Sequence, residues 1–515
     1  MVSNATAQTV SKLAARVASG DGAITGLVRA LEDTRRQLRA TEARVAVLEG
    51  QCAYAGPAKT DIDAQLKSLQ EQSDTLEGQL LAANPRYAQL VSSESSLADL
   101  QKGLRPDEVY LKIVLLGDRG YGILVSKTLA KPYSMNLSRT QAASAVQAIR
   151  APFEAEDSLP PFDVAKSYAL YQQLFGPVSS DLAGAKHLIY EPDGALISLP
   201  VATMVMEDPA PLLAHLNASK EPEYRKVAWL GARIDSSLVL SAASFLQSRA
   251  FAPSRAKQAF QAFADPASAR SEPRAFASVL KRSGGKFDAG DENICEGTRQ
   301  ALLRLPALPD TADEVKQVGA SFAKSTENLL LGGSFTDDAV RARGDLGDFK
   351  VLYFATHGLL PQPSACLPEP ALVTSVGAGA DSDGLLDASE ILDLKLDADQ
   401  VVLSACDTGG AGSEGADQTG LQGGGEALGG LTRAVIYAGG RALIVSHWSV
   451  DSAATVRLMT RLFAGQAATE GEALQKAQLV LQQSADWSHP YFWAPFTIVG
   501  DGARAMPTAS GRAAD

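Results

Sequence analysis

"DQVVLSACDTG", residues 399–409, is a short apolar run that stops at a serine, an alanine and a cysteine and passes at once into glycine. Four to eight apolar residues bounded by Gly, Asp or Pro read as a strand buried on both faces, the kind found in parallel sheets. Three further runs have the same form: "DFKVLYFATHG" (348–358), "GRALIVSHWSV" (440–450) and "PFTIVGDG" (495–502). Helical patterns separate them in "DTADEVKQVGASFA", "EALGGLTRAVIYAG" and "SAATVRLMTRLFAG". Strands alternating with helices imply right-handed crossovers and an α/β fold with a mainly parallel sheet.

Working outward, "EVYLKIVLLGDRGYGILVSK" reads as a strand pair about a turn at 117–120, and "KHLIYEPDGALISLPVATMV" turns at Pro192, Asp193 and Gly194. "RKVAWLGARI" reads as a short strand ending in Gly231, with helices around 139–150 and 162–175. Residues 234–300, rich in Ala, Ser, Arg and Pro, read as helices and surface linkers. Toward the N-terminus, Leu27, Leu31, Thr34, Leu38, Thr41, Val45 and Leu48, then Ile62, Leu66, Leu69, Ser73, Leu76 and Leu80, keep the alternating four-and-three spacing of an a/d seam. Gly50, Gly56 and Pro57 break the run, which predicts an antiparallel helical hairpin.

These readings divide the chain into a helical hairpin (1–104), an α/β subdomain with linker (105–304), a second α/β domain (305–502) and an unstructured tail (503–515). No 34-residue repeat is present.

The chain has 515 residues, 45% hydrophobic and 21% charged, with a net charge of −12. That balance argues against a broad phosphate-binding surface and for a protein partner. No apolar leader opens the sequence and no run is long enough to span a bilayer. The four cysteines, Cys52, Cys295, Cys366 and Cys406, form no CxxC pair, so neither zinc nor a disulfide framework is indicated. A cytoplasmic protein with reduced thiols and no metal or organic cofactor is the expectation.

In open α/β sheets, sites form beyond the carboxyl ends of the strands. One run ends at Thr356, His357 and Gly358; another ends at Ala405, Cys406 and Asp407. A His and a Cys on neighbouring strand ends are what thiol catalysis needs, because an imidazolium lowers the thiol pKa and later protonates the leaving amine. The N–H groups of Gly358 and Cys406 are candidates for an oxyanion hole. Taken singly, Cys406 also reads as a small buried apolar residue, His357 as a core histidine, and His447 as a competing base. The other cysteines lie in a Pro-rich loop, a helix start and the hairpin turn. The glycine-dense stretch 409–430 lacks the GxxxxGK[ST] pattern, so a mobile loop beside a nucleophile is expected rather than a phosphate cradle.

"FATHG", "GLLDASEILDLKLDADQVVLSACDTG", "ALGGLTRAVIYAGGRALIVSHWSVDSAATVRLM" and "HPYFWAPFTIVGDG" together resemble the CHAT family of caspase-like cysteine peptidases, most specifically over 305–502. "LIYEPDGALISLPVATM" and "VAWLGAR" extend the resemblance back toward 105. The resemblance implies a caspase-like fold, a pseudo-enzyme subdomain upstream, and His357 and Cys406 as a dyad; Gly409 stands three after the cysteine rather than two. It also implies a substrate pocket lined by Trp448 and Asp451, where Asp407 and Asp451 would attract a basic side chain; Asp451 is equally placed to cap the next helix. Bacterial defence, a gasdermin-like protein substrate and a protein activator are further implications of the resemblance. A catalytically idle interaction scaffold is the competing reading.

Overall fold

The computed structural model describes residues 95–155, 158–216, 221–267, 307–322, 328–359, 370–378, 382–405 and 430–507 except 433, 437, 449 and 466, together with residue 305 and scattered positions between 34 and 79. The chain divides into two units, Met1–Ser96 and Leu97–Asp515.

In the first unit the described residues between 34 and 79 are helical. Thr34 and Thr41 are buried seven residues apart, as are Ile62 and Leu69, whereas Gln37 and the residues flanking Leu66 are exposed. Burial at heptad spacing is what the seam at these positions calls for. The breaker segment 50–57 lies outside the described residues. The helix Leu97–Gly103, grouped with the hairpin by the sequence reading, belongs to the second unit.

The second unit is built on one mixed, mostly parallel sheet of eleven strands with helices on its faces, an α/β fold. Its order is β3 (Ala130–Met135), β2 (Arg119–Val125), β1 (Glu108–Leu116), β4 (His187–Glu191), β5 (Asp235–Leu238), β14 (Phe496–Val499), β13 (Ala442–Ser446), β12 (Gln400–Ala405), β8 (Phe349–Thr356), β6 (Gln258–Ala264) and β7 (Leu329–Leu331). Strands β1, β4, β5 and β14 run parallel to one another. Strands β13, β12, β8, β6 and β7 do the same. The two groups meet antiparallel at β13 and β14.

Local sequence explains several of these elements. β1 and β2 form a two-residue hairpin closed by Leu116 and Arg119, with Gly117 at φ 57°, a conformation that favours glycine. Along β8, Val351, Tyr353 and Ala355 face one core, and Leu352 and Phe354 face the other. This period of two buries both faces of the strand. The first core is closed by the helices Pro309–Gly319, Ser452–Leu462 and Glu470–Gln482, and the second by Ala388–Asp393 and residues 430–438.

Three sequence expectations are corrected. "RKVAWLGARI" holds no strand: Trp229 makes one isolated bridge to Val205, Leu230–Arg233 is helical, and the strand is the later Asp235–Leu238. Residues 234–300 are not only helix and linker, since β5 and β6 lie there. "QAFQAFA" carries little strand propensity, but β6 is held between β8 and β7, where Ala262, Phe263 and Ala264 are fully buried. Pairing and burial override propensity. The chain after 503 is not a free tail at its start, because Ala505 bridges to Thr469 and Met506 is buried. β6 also lies upstream of residue 305 yet pairs with the strand that leads to His357.

Candidate active site

β8 and β12 are parallel neighbours, and their last residues, Thr356 and Ala405, are register partners. His357 is the next residue on one strand and Cys406 the next on the other. Cys406, Asp407 and the stretch 408–429 lie outside the described residues, as do the other three cysteines.

The His357 end is tightly held. Thr356 donates its hydroxyl to the carbonyl of Val373 at 2.5 Å, and the amide of Val373 donates to the carbonyl of His357 at 2.9 Å. Gly358 then opens β9 (Gly358–Leu359), which pairs with β10 (Ala371–Val373), itself paired with β11 (Leu385–Asp387). This small antiparallel sheet grips the backbone on both sides of the histidine. His357 itself is 7% exposed and Gly358 half-buried.

The Ala405 end is held from the other neighbour. Ser446, the last residue of β13 and fully buried, donates its hydroxyl to the carbonyl of Ala405. His447, the competing base, is fully buried, with its Nε2 3.1 Å from the Thr497 hydroxyl.

Beneath the strand ends lies a polar cluster that the sequence reading did not single out. Glu314, on the helix Pro309–Gly319, accepts a hydrogen bond from the Tyr353 hydroxyl at 2.5 Å and another from Ser404. Burial pushes the Glu314 carboxyl up to about 7, and these two hydrogen bonds only partly oppose that shift. The sequence signal was faint: a single Glu at a core-facing helical position in "DTADEVKQVG".

The substrate-pocket candidates are placed as follows. Trp448 is buried, with its ring stacked on Phe153 at 4.1 Å between centroids and its Nε1 donating to the carbonyl of Tyr491 at 3.0 Å. Asp451 caps the helix Ser452–Leu462, its carboxylate accepting from the amide of Ala454 at 2.8 Å.

A second constellation sits in the other half of the sheet. His187 contacts Asp235 through Nδ1 and the Ser237 hydroxyl through Nε2, at 3.0 Å for the latter. His187 and Ser237 are 5% and 1% exposed, so the trio ties β4 to β5 and offers no open nucleophile. The carboxyl ends of β1 and β4 carry Leu116 and Glu191, neither a His nor a Cys. Among the described residues no group of three or more His, Cys, Asp or Glu is placed to hold a metal ion, and no helix is long and apolar enough to cross a membrane.

Against known proteins, the chain is 32% identical over 128 residues to mouse tetratricopeptide repeat protein 28, a match to 24% of this chain and 5% of that protein. Among solved structures it is similar to the Saccharomyces cerevisiae separase–securin complex, at 9% identity and a TM-score of 0.41, covering 85% of this chain and 34% of that one. It is also similar to the Arg-specific cysteine proteinase gingipain R, RgpB of Porphyromonas gingivalis, at 10% identity and a TM-score of 0.32, covering 72% and 76%. The chain thus spans a twentieth of the mouse relative and about a third of the separase chain. The family model for the CHAT domain matches residues 164–501, a span that contains both His357 and Cys406. With about two thirds of its length inside that match, the chain belongs to the CHAT domain family.

Proposed function

We propose that the chain is a cysteine endopeptidase in which His357 and Cys406 form the catalytic dyad. The observation that carries this reading is the parallel register of Thr356 with Ala405. Adjacent strands lie ~4.8 Å apart, so residues that follow register partners begin within reach of one another.

In this mechanism the Cys406 thiolate attacks the scissile carbonyl carbon, forming a C–S bond and an oxyanion. The N–H groups of Gly358 and Cys406 hold that oxygen. His357, as imidazolium, protonates the leaving amine as the C–N bond breaks. A water, deprotonated by His357, then attacks the thioester carbonyl; the C–S bond breaks and the acid product leaves. Every step uses groups of the chain and water.

For specificity, Asp407 and Asp451 are proposed to draw a basic P1 side chain, with Trp448 supporting the pocket wall from the core. Regulation by a protein partner or by ordering of 409–430, and a role in bacterial defence on a gasdermin-like substrate, rest on the family resemblance. A purified chain that cleaves at full rate without any added protein contradicts the partner.

The test is a peptide-library digest with the purified protein. Products that vanish in Cys406→Ala and in His357→Ala, and that share Lys or Arg at P1, are expected. Identical digests from wild type and Cys406→Ala favour the idle scaffold instead.

A further inference from the structure

The register of β12 with β13 runs from Gln400 and Ala442 to Leu403 and Val445. Two residues further on, the carbonyl of Ala405 is met by a side chain, the hydroxyl of Ser446. Ser446 is fully buried, and its strand is gripped on its other side by β14, with Ser446 opposite Phe496. The donor is therefore set in the middle of the sheet.

A peptide unit is planar and trans, so its carbonyl and its N–H point in opposite directions within one rigid plane. Holding the oxygen of Ala405 fixes the direction of the amide of residue 406. We infer that Ser446 is a positioning residue for the proposed reaction: its hydroxyl holds the Ala405 carbonyl and so aims the 406 amide at the oxyanion. The inference rests on the peptidase reading above. Ser446 acts through the peptide plane that joins 405 to 406. An oxyanion donor works because it is oriented before charge develops, and loosening it raises the barrier to the tetrahedral step while leaving substrate binding in place.

The experiment compares wild type, Ser446→Ala and Ser446→Thr on one peptide that wild type cleaves in a Cys406-dependent way. Iodoacetamide labelling of Cys406, read by mass spectrometry, supplies both the alkylation rate and the fraction of competent chains to which kcat is normalised. Alkylation by iodoacetamide forms no oxyanion, so it separates thiol reactivity from oxyanion stabilisation. For Ser446→Ala, kcat is expected to fall roughly ten- to hundredfold, with KM and the alkylation rate each within about twofold of wild type. Ser446→Thr, which keeps the hydroxyl, is expected to recover most of kcat. An unchanged kcat in Ser446→Ala, an alkylation rate that falls in step with kcat, or a Thr variant no better than Ala each overturns the inference while leaving the peptidase reading intact. A wild type with no Cys406-dependent cleavage removes that reading and this inference with it.

Discussion

Thr356 and Ala405 stand opposite each other at the ends of two parallel strands, each the last strand residue before a chemically useful side chain. Val373 holds the first strand end and Ser446 the second. The sheet thus brings two positions 49 residues apart in sequence to one edge. The family match covers both.

His357→Ala is expected to lower kcat by about two to four orders of magnitude, the usual weight of a general acid–base group. Its fold is expected to persist, because the 357 backbone carbonyl, not the ring, accepts from Val373. Steady-state kinetics alongside a melting curve checks both statements.

Glu314 is fully buried with a carboxyl pushed up to about 7 from 4.5, so the folded state holds its proton more tightly than the unfolded chain. Its contribution is fully present below pH ~4.5 and is lost as pH rises through ~7, amounting to about 3 kcal/mol. Glu314→Gln keeps an acceptor for Tyr353 and removes the ionisation. The variant is expected to gain stability relative to wild type as pH rises from 5 to 8, seen in urea midpoints. A difference that does not change with pH contradicts the burial argument.

His489 has the opposite sign. Burial lowers its ring to about 4 from 6.5, against the pull of the Pro160 carbonyl at 3.2 Å. The neutral ring is an acceptor for the amide of Tyr491 and packs edge-on against Tyr224. Its contribution is full above pH ~6.5 and is lost as pH falls through ~4, again about 3 kcal/mol. The stability of His489→Gln relative to wild type is expected to improve as pH falls from 7 to 4. Between about 4.5 and 6.5 the slopes of Glu314 and His489 oppose each other, so each variant exposes the other group's dependence.

Asp451→Ala removes the carboxylate that caps Ser452–Leu462 and is expected to cost about 1 kcal/mol, whereas Asp451→Asn, also a good cap, restores most of it. If Asp451 also recognises substrate, Asn keeps the stability but not the preference for a basic P1 residue. Thermal melts and the peptide-library profile, run on both variants, separate the two roles.

The strands that carry the candidate site were legible because each is a dense apolar run bounded by Gly, Asp or Pro; all four of those in the last third of the chain are strands in the structure. The β1–β2 hairpin was legible for the same reason, with Gly117 marking its turn. β5, β6 and β7 were not. "DSSL" is three-quarters polar, "QAFQAFA" mixes Ala and Gln with two Phe, and "LLL" is three residues long; each becomes a strand through its neighbours rather than its own pattern. The antiparallel join of β13 to β14, which unites the two halves of the sheet, connects segments far apart in role and leaves no local trace. The positions proposed for the dyad were visible as residue types at strand ends, whereas Ser446 and Glu314 acquire their contacts only from what the fold sets beside them.

The measurement that bears most directly on the central claim is the rate at which iodoacetamide alkylates each of the four cysteines near neutral pH, in wild type and in His357→Ala. With a thiol at 406 activated by the imidazole at 357, Cys406 is expected to react at least about tenfold faster than Cys52, Cys295 and Cys366, and to lose that advantage in the variant. Uniformly slow labelling of all four, or a fast Cys406 indifferent to loss of His357, would contradict the dyad.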